Sequence, residues 1–144
     1  MIRIISFLCA KFHIILHQLN SRHEYPPEID LEEFLDDAAD RMKSWVYKLH
    51  GVIVHNGTMD GGKYFTLFKP SRNGRWLKFH DEEVTYAENY EVFEDNFGHG
   101  EDWRTITKSA LVLVYIREPM IDHVLAPVTE VDVPSYISSY LMLF

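Results

Sequence analysis

The sequence predicts an α+β fold, an antiparallel sheet with flanking helices, on three observations. Across residues 45–85, the runs WVYKLHGVIVH, KYFTLFKP and RWLKFHDEEVT place apolar side chains at alternate positions, separated by the glycine-bearing breaks NGTMDGG and SRNG. A period of two, interrupted at short intervals, is the pattern of antiparallel strands joined by loops, here a three-strand meander. Residues 110–116, ALVLVYI, form an unbroken apolar run that reads as a central strand buried on both faces, with Pro119 ending it. Three other stretches space their apolar residues at the helical period.

Taken in order, the first nineteen residues, MIRIISFLCAKFHIILHQL, permit two readings. Arg3 ahead of an apolar run over residues 4–10 fits a short signal sequence, although no small-x-small cleavage pattern follows. A buried strand pair fits better, because Lys11, His13 and His17 interrupt the run far short of the roughly 20 apolar residues of a membrane span. Pro26 and Pro27 forbid a regular helix and mark a linker. Asp30, with Glu33 three residues on, then has the spacing of a capping box. Leu31, Phe34, Leu35, Ala38 and Met42 would form the buried stripe of the helix it starts, opposite Asp36, Asp37, Asp40 and Lys43. That acidic face reads as solvated surface or as a docking site for a basic partner.

In the first meander strand, Val46, Lys48, His50, Val52 and Val54 fall on one side and Tyr47, Leu49, Gly51, Ile53 and His55 on the other. Neither side is polar throughout, so both are expected to be covered. After the meander, Thr85 with Glu88 predicts a second capped helix with Tyr86, Tyr90 and Phe93 as its stripe, followed by a mobile loop over residues 96–102. The final element, SYISSYLMLF, spaces Tyr136, Ile137, Tyr140, Leu141 and Phe144 like a helix. This apolar tail would cover the sheet or, if exposed, favour self-association or a protein partner.

Composition narrows the function classes. A chain of 144 residues, 47% hydrophobic and 14% aromatic, is about one domain and can bury a core. A formal charge of −8 without clustered Lys or Arg argues against nucleic acid and anionic membrane as partners. Cys9 is the lone cysteine, so no internal disulfide can form, which fits the cytoplasm or nucleus. Apolar neighbours make it read as a buried, inert thiol. His13 and His17 are four apart and His50 and His55 five apart, but no further ligands complete a metal pattern, and no cofactor motif is present.

The run HGVIVHNGTMDGGKYFTLFKPSRNGRWLKFHDEEVT resembles the histidine and aspartate boxes of the ubiquitin-specific proteases, the C19 family of thiol peptidases that remove ubiquitin. SRHEYPPEIDLEEFL before it and ALVLVYIREPMIDHVLAPVTEVDVP after it extend the resemblance in the right order, and are similar to the herpesvirus-associated member of that family. The resemblance implies the palm-like sheet of a truncated catalytic domain at residues 21–119, preceded by an apolar strand region at 1–20 and followed by a connector and apolar helix at 120–144. It also implies that Gly61, Gly62 and Tyr64, with the neighbouring Trp76, are remnants of the wall that holds ubiquitin's C-terminal tail. An ordinary hairpin loop would use the same glycines.

The departures from the family pattern are specific. Where active members carry the catalytic histidine after the paired glycines, this chain has Lys63. Where they carry the orienting aspartate, it has His80, followed by Asp81. The family's cysteine box has no counterpart in these residues. A lysine is protonated at neutral pH and has no second ring nitrogen for a carboxylate to hold. The expectation is a degenerate deubiquitinase fragment, catalytically inactive and a weak ubiquitin binder. The alternatives are an active thiol hydrolase with a non-standard site and a non-enzymatic scaffold docking through its apolar tail.

Overall fold

A long strand whose two edges are both occupied organises the molecule. The computed structural model of the chain describes residues 22–58, 61–98, 106–135 and 137. The expected strand region at 1–20, Cys9, His13, His17, Tyr136, Tyr140, Leu141 and Phe144 lie outside the described residues; Ile137 lies within them and is exposed. Among the described residues there are six strands: β1 (Glu28–Asp30), β2 (Val46–Thr58), β3 (Gly61–Phe68), β4 (Trp76–His80), β5 (Glu83–Ala87) and β6 (Thr107–Arg117). Two short helices accompany them, α1 (Asn89–Phe93) and α2 (Ile121–Val124). All strand pairings are antiparallel. β6 runs along one edge of β2, whereas β1 and β3 pair with successive parts of it and so share the other. The meander β2–β3–β4 is as the alternation predicts, and β5 extends it by one strand.

β2 departs from strict alternation at a bulge. Leu49 pairs with Tyr115 and Gly51 with Val114, leaving His50 as the extra residue. An extra residue reverses which parity points inward, so Tyr47 and Leu49 before it and Val52 and Val54 after it all join one buried cluster. Phe65, Leu67, Trp76, Val92, Leu113 and Tyr115 complete most of that cluster. The proline segment expected as a linker is anchored to it: the Tyr25 hydroxyl donates to the Val92 carbonyl, and the Tyr115 hydroxyl donates to the Pro26 carbonyl at 2.6 Å. Burial pushes the Tyr115 phenol up to about 12.

Four sequence expectations are corrected. The helix after Asp30 is absent, and only one 3₁₀ turn, Glu32–Phe34, forms there. Asp30, Asp36 and Asp40 each accept, through Oδ1, the backbone N–H two residues on (2.9, 2.9 and 3.0 Å), and these local turns compete with helical hydrogen bonding. The expected stripe is split: Leu31 packs against the core, whereas Phe34 is 74% and Met42 95% exposed. Thr85 and Tyr86 lie in β5 rather than in a helix, because their β-branched and aromatic side chains suit a strand already templated by β4. The helix begins instead after Glu88, with Glu91 completing the capping box. The run 110–116 is strand β6, but among the described residues it pairs with β2 and makes one bridge, Phe97 to Ser109, so it borders the sheet. Asn96 and Phe97, expected at the start of a mobile loop, are buried beside it.

Two polar features brace this scaffold. Arg72, in the β3–β4 loop, places Nε 3.2 Å from both Asp122 oxygens and donates through Nη2 to Asp122 Oδ2 (2.9 Å) and the Glu118 carbonyl (3.0 Å), clamping the loop to α2. The bulged His50 is buried, and its Nδ1–H donates to the Lys69 carbonyl at 3.1 Å. Burial first, and then the nearby Lys69, Arg72 and Lys48, hold its pKa below the usual imidazole value, whereas the Lys69 hydrogen bond opposes them. The unfolded chain therefore binds the proton more readily. The stabilisation is complete above about pH 6.5, the free imidazole value, and is lost as pH falls from there through the depressed folded value. Urea unfolding at pH 7.5 and 5.5 is expected to show a smaller pH-dependent loss for His50→Gln than for the native chain; equal losses would assign the effect elsewhere.

Candidate functional site

The β2–β3 hairpin and the β4–β5 turn bring the sequence-predicted site residues together, with one exception. Toward the hairpin tip His55 pairs with Tyr64, Asn56 with Lys63, Gly57 with Gly62 and Thr58 with Gly61. The glycines are not equivalent. A Cβ on Gly62 would lie 2.5 Å from His55 Nε2 and 2.6 Å from the Asn56 carbonyl oxygen, whereas one on Gly61 would meet nothing within 4 Å. Gly62 thus permits a close approach between strands, and Gly61 stands in open space. His55 is buried beside Gly62, with its ring centroid 5.0 Å from that of the exposed Tyr64.

Lys63 falls at the position alternate to Phe65, on the strand side opposite Tyr64. Asp81 reaches it from the β4–β5 turn. With φ at 53°, Asp81 has left the strand geometry of β4, and its Oδ2 accepts from Lys63 Nζ at 2.9 Å. Both side chains are largely exposed. The hydrogen bond and the charge of each partner raise the Lys63 pKa and lower that of Asp81, so the two form an ion pair at neutral pH. An ammonium held in this way has no lone pair with which to accept a proton. His80 meets the Phe65 ring nearly edge-on, 6.1 Å between centroids, on the strand side that Lys63 shares. The Lys63→Ala substitution is expected to raise the Asp81 pKa toward the ordinary carboxylate value in a carbon-detected NMR titration. An unchanged value would mean that the ion pair does not form in solution.

The exception is Trp76. It is 6% exposed and packs edge-on against Phe93, with centroids 6.0 Å apart, so it belongs to the core and is not presented beside Tyr64. Sequence reasoning also passed over the structural role of His55, which the alternation across from Tyr64 could have indicated. Among the described residues no three His, Cys, Asp or Glu side chains gather as a metal site would require.

Residues 4–115 match the family model described as ubiquitin carboxyl-terminal hydrolase. The chain belongs to that family. It is 43% identical over 134 residues to Ubiquitin carboxyl-terminal hydrolase 15 of Schizosaccharomyces pombe, covering 86% of this chain and 12% of that protein. Ubiquitin carboxyl-terminal hydrolase 15 of Saccharomyces cerevisiae is 37% identical over 145 residues, again with 12% of its length covered. Ubiquitin carboxyl-terminal hydrolase 7 of Drosophila melanogaster is 34% identical over 119 residues. The chain thus spans about one eighth of the hydrolases it matches. A particular nearness to the herpesvirus-associated member is not supported, since higher identities are found with proteins named hydrolase 15. Among solved structures, a chain of the "Ubp8-Sgf11-Sgf73-Sus1 SAGA DUB module" superposes with a TM-score of 0.52 at 21% identity, covering 75% of this chain and 21% of that one. That likeness shows the fold of this hydrolase segment, an antiparallel sheet with few helices.

Proposed function

We propose that this chain is a segment of a deubiquitinating hydrolase domain in which the proton-transfer pair is degenerate, so that it binds ubiquitin weakly and does not cleave it alone. One observation carries the reading: the residue at the family's histidine position, Lys63, is a protonated amine tied to Asp81 at 2.9 Å. A thiol nucleophile needs a neutral base within hydrogen-bond reach and a carboxylate that fixes that base's tautomer. Here the carboxylate is engaged by an ammonium, and the imidazole of His80 packs on Phe65. The exposed positions Gly61, Gly62 and Tyr64 support a residual wall for an extended tail, with Tyr64 as its aromatic part and the buried His55 ring behind it.

Two measurements test the two halves separately. Incubation with a fluorogenic ubiquitin C-terminal substrate is expected to give no turnover, and turnover that disappears in Cys9→Ala would overturn the catalytic half. Titration of the isotopically labelled chain with ubiquitin is expected to move the amide signals of Gly61, Gly62 and Tyr64 at millimolar concentration. A flat titration would remove the binding half.

A further inference from the structure

β5 ends the meander. Among the described residues it pairs with β4 alone, from Trp76↔Ala87 to His80↔Glu83, so its second edge presents backbone N–H and C=O groups without strand partners. Four of its five residues are exposed. Val84 and Tyr86, 57% and 61% exposed, share a face with Phe79 and Leu77, their respective partners on β4. The Arg75 guanidinium lies 3.7 Å above the Tyr86 ring. Glu83 lies on the strand, Glu82 just before it and Glu88 just after it, all exposed, and residues 79–103 contain no lysine or arginine.

We propose that this edge accepts an added strand from a basic partner, an extended polypeptide in which apolar residues alternate with lysine or arginine. Backbone pairing to β5 supplies the register. The partner's apolar side chains then lie beside Val84 and Tyr86, its cations lie on the opposite face beside Glu83, and Glu82 and Glu88 flank the added strand at the two ends of β5. Charge decides against a second copy of this chain as the occupant. Antiparallel pairing of two β5 strands about Thr85 would set Glu82 of each copy against Glu88 of the other and join two chains that each carry −8.

The test uses the full chain, isotopically labelled, with two nine-residue peptides, one alternating lysine with valine and the other alternating glutamate with valine. The lysine peptide is expected to move the amide signals of Glu83–Ala87 and to slow their hydrogen exchange, whereas the glutamate peptide does neither. Glu83→Lys, a surface change, is expected to weaken the lysine peptide by roughly five-fold, the scale on which an exposed ion pair contributes. No response at millimolar peptide, equal responses to both peptides, or shifts confined to residues outside β4 and β5 would overturn the proposal. Concentration-dependent shifts of Glu83–Ala87 with the chain alone would overturn it in favour of self-pairing.

Discussion

Trp76→Ala is expected to lower the free energy of unfolding by about 3–5 kcal/mol, the range for removing a large buried aromatic side chain. The expectation rests on position: Trp76 opens β4, pairs with Ala87, and inserts its ring between strand and helix against Phe93. Its neighbours Leu67 and Val92 are fully buried and held by backbone elements, which limits how far the cavity can collapse. Set against the roughly 5–15 kcal/mol that separates folded from unfolded domains, a loss of this size is a large shift in urea midpoint. A loss below about 1 kcal/mol would place the ring outside the core. Trp76→Phe retains an aromatic ring and is expected to leave the response of Tyr64 to ubiquitin unchanged. A lost response in a folded Trp76→Phe chain would restore Trp76 to the binding surface.

Gly57→Ala is expected to destabilise the β2–β3 hairpin, whereas Gly61→Ala is not. A Cβ on Gly57 would lie 2.3 Å from the Gly61 carbonyl oxygen and 2.5 Å from the Gly62 Cα. Both obstacles are backbone, so the strands must separate rather than a side chain rotate, at a cost of roughly 1–3 kcal/mol as for other overpacked sites. Hydrogen exchange at Asn56 and Lys63 should rise accordingly. Gly61, with open space around its Cβ position, should tolerate alanine and gain up to about 1 kcal/mol from a less flexible unfolded chain. The same substitution at two positions four residues apart separates close approach from chain flexibility. Equal effects at both would refute the steric account.

The meander and the family are legible in the order of the residues alone. Alternation over residues 45–80 is a local property, and it survives folding because each strand meets its neighbour in sequence across a short loop. The identities of Lys63 and His80 likewise need no coordinates. Tertiary structure decided what those identities do. Asp81 follows His80 in the chain, yet a positive φ carries its carboxylate to Lys63, eighteen residues away in sequence. The bulge at His50 is set by its pairing with β6, a strand that begins more than fifty residues later, and it alone brings both parities of β2 into one core. The helix predicted after Asp30 failed for the complementary reason. Its periodicity was genuine, but among the described residues only Leu31 of the stripe packs on the core while Phe34 and Met42 stay exposed, and a helical pattern with so little burial yields to the turns that nearby aspartates stabilise.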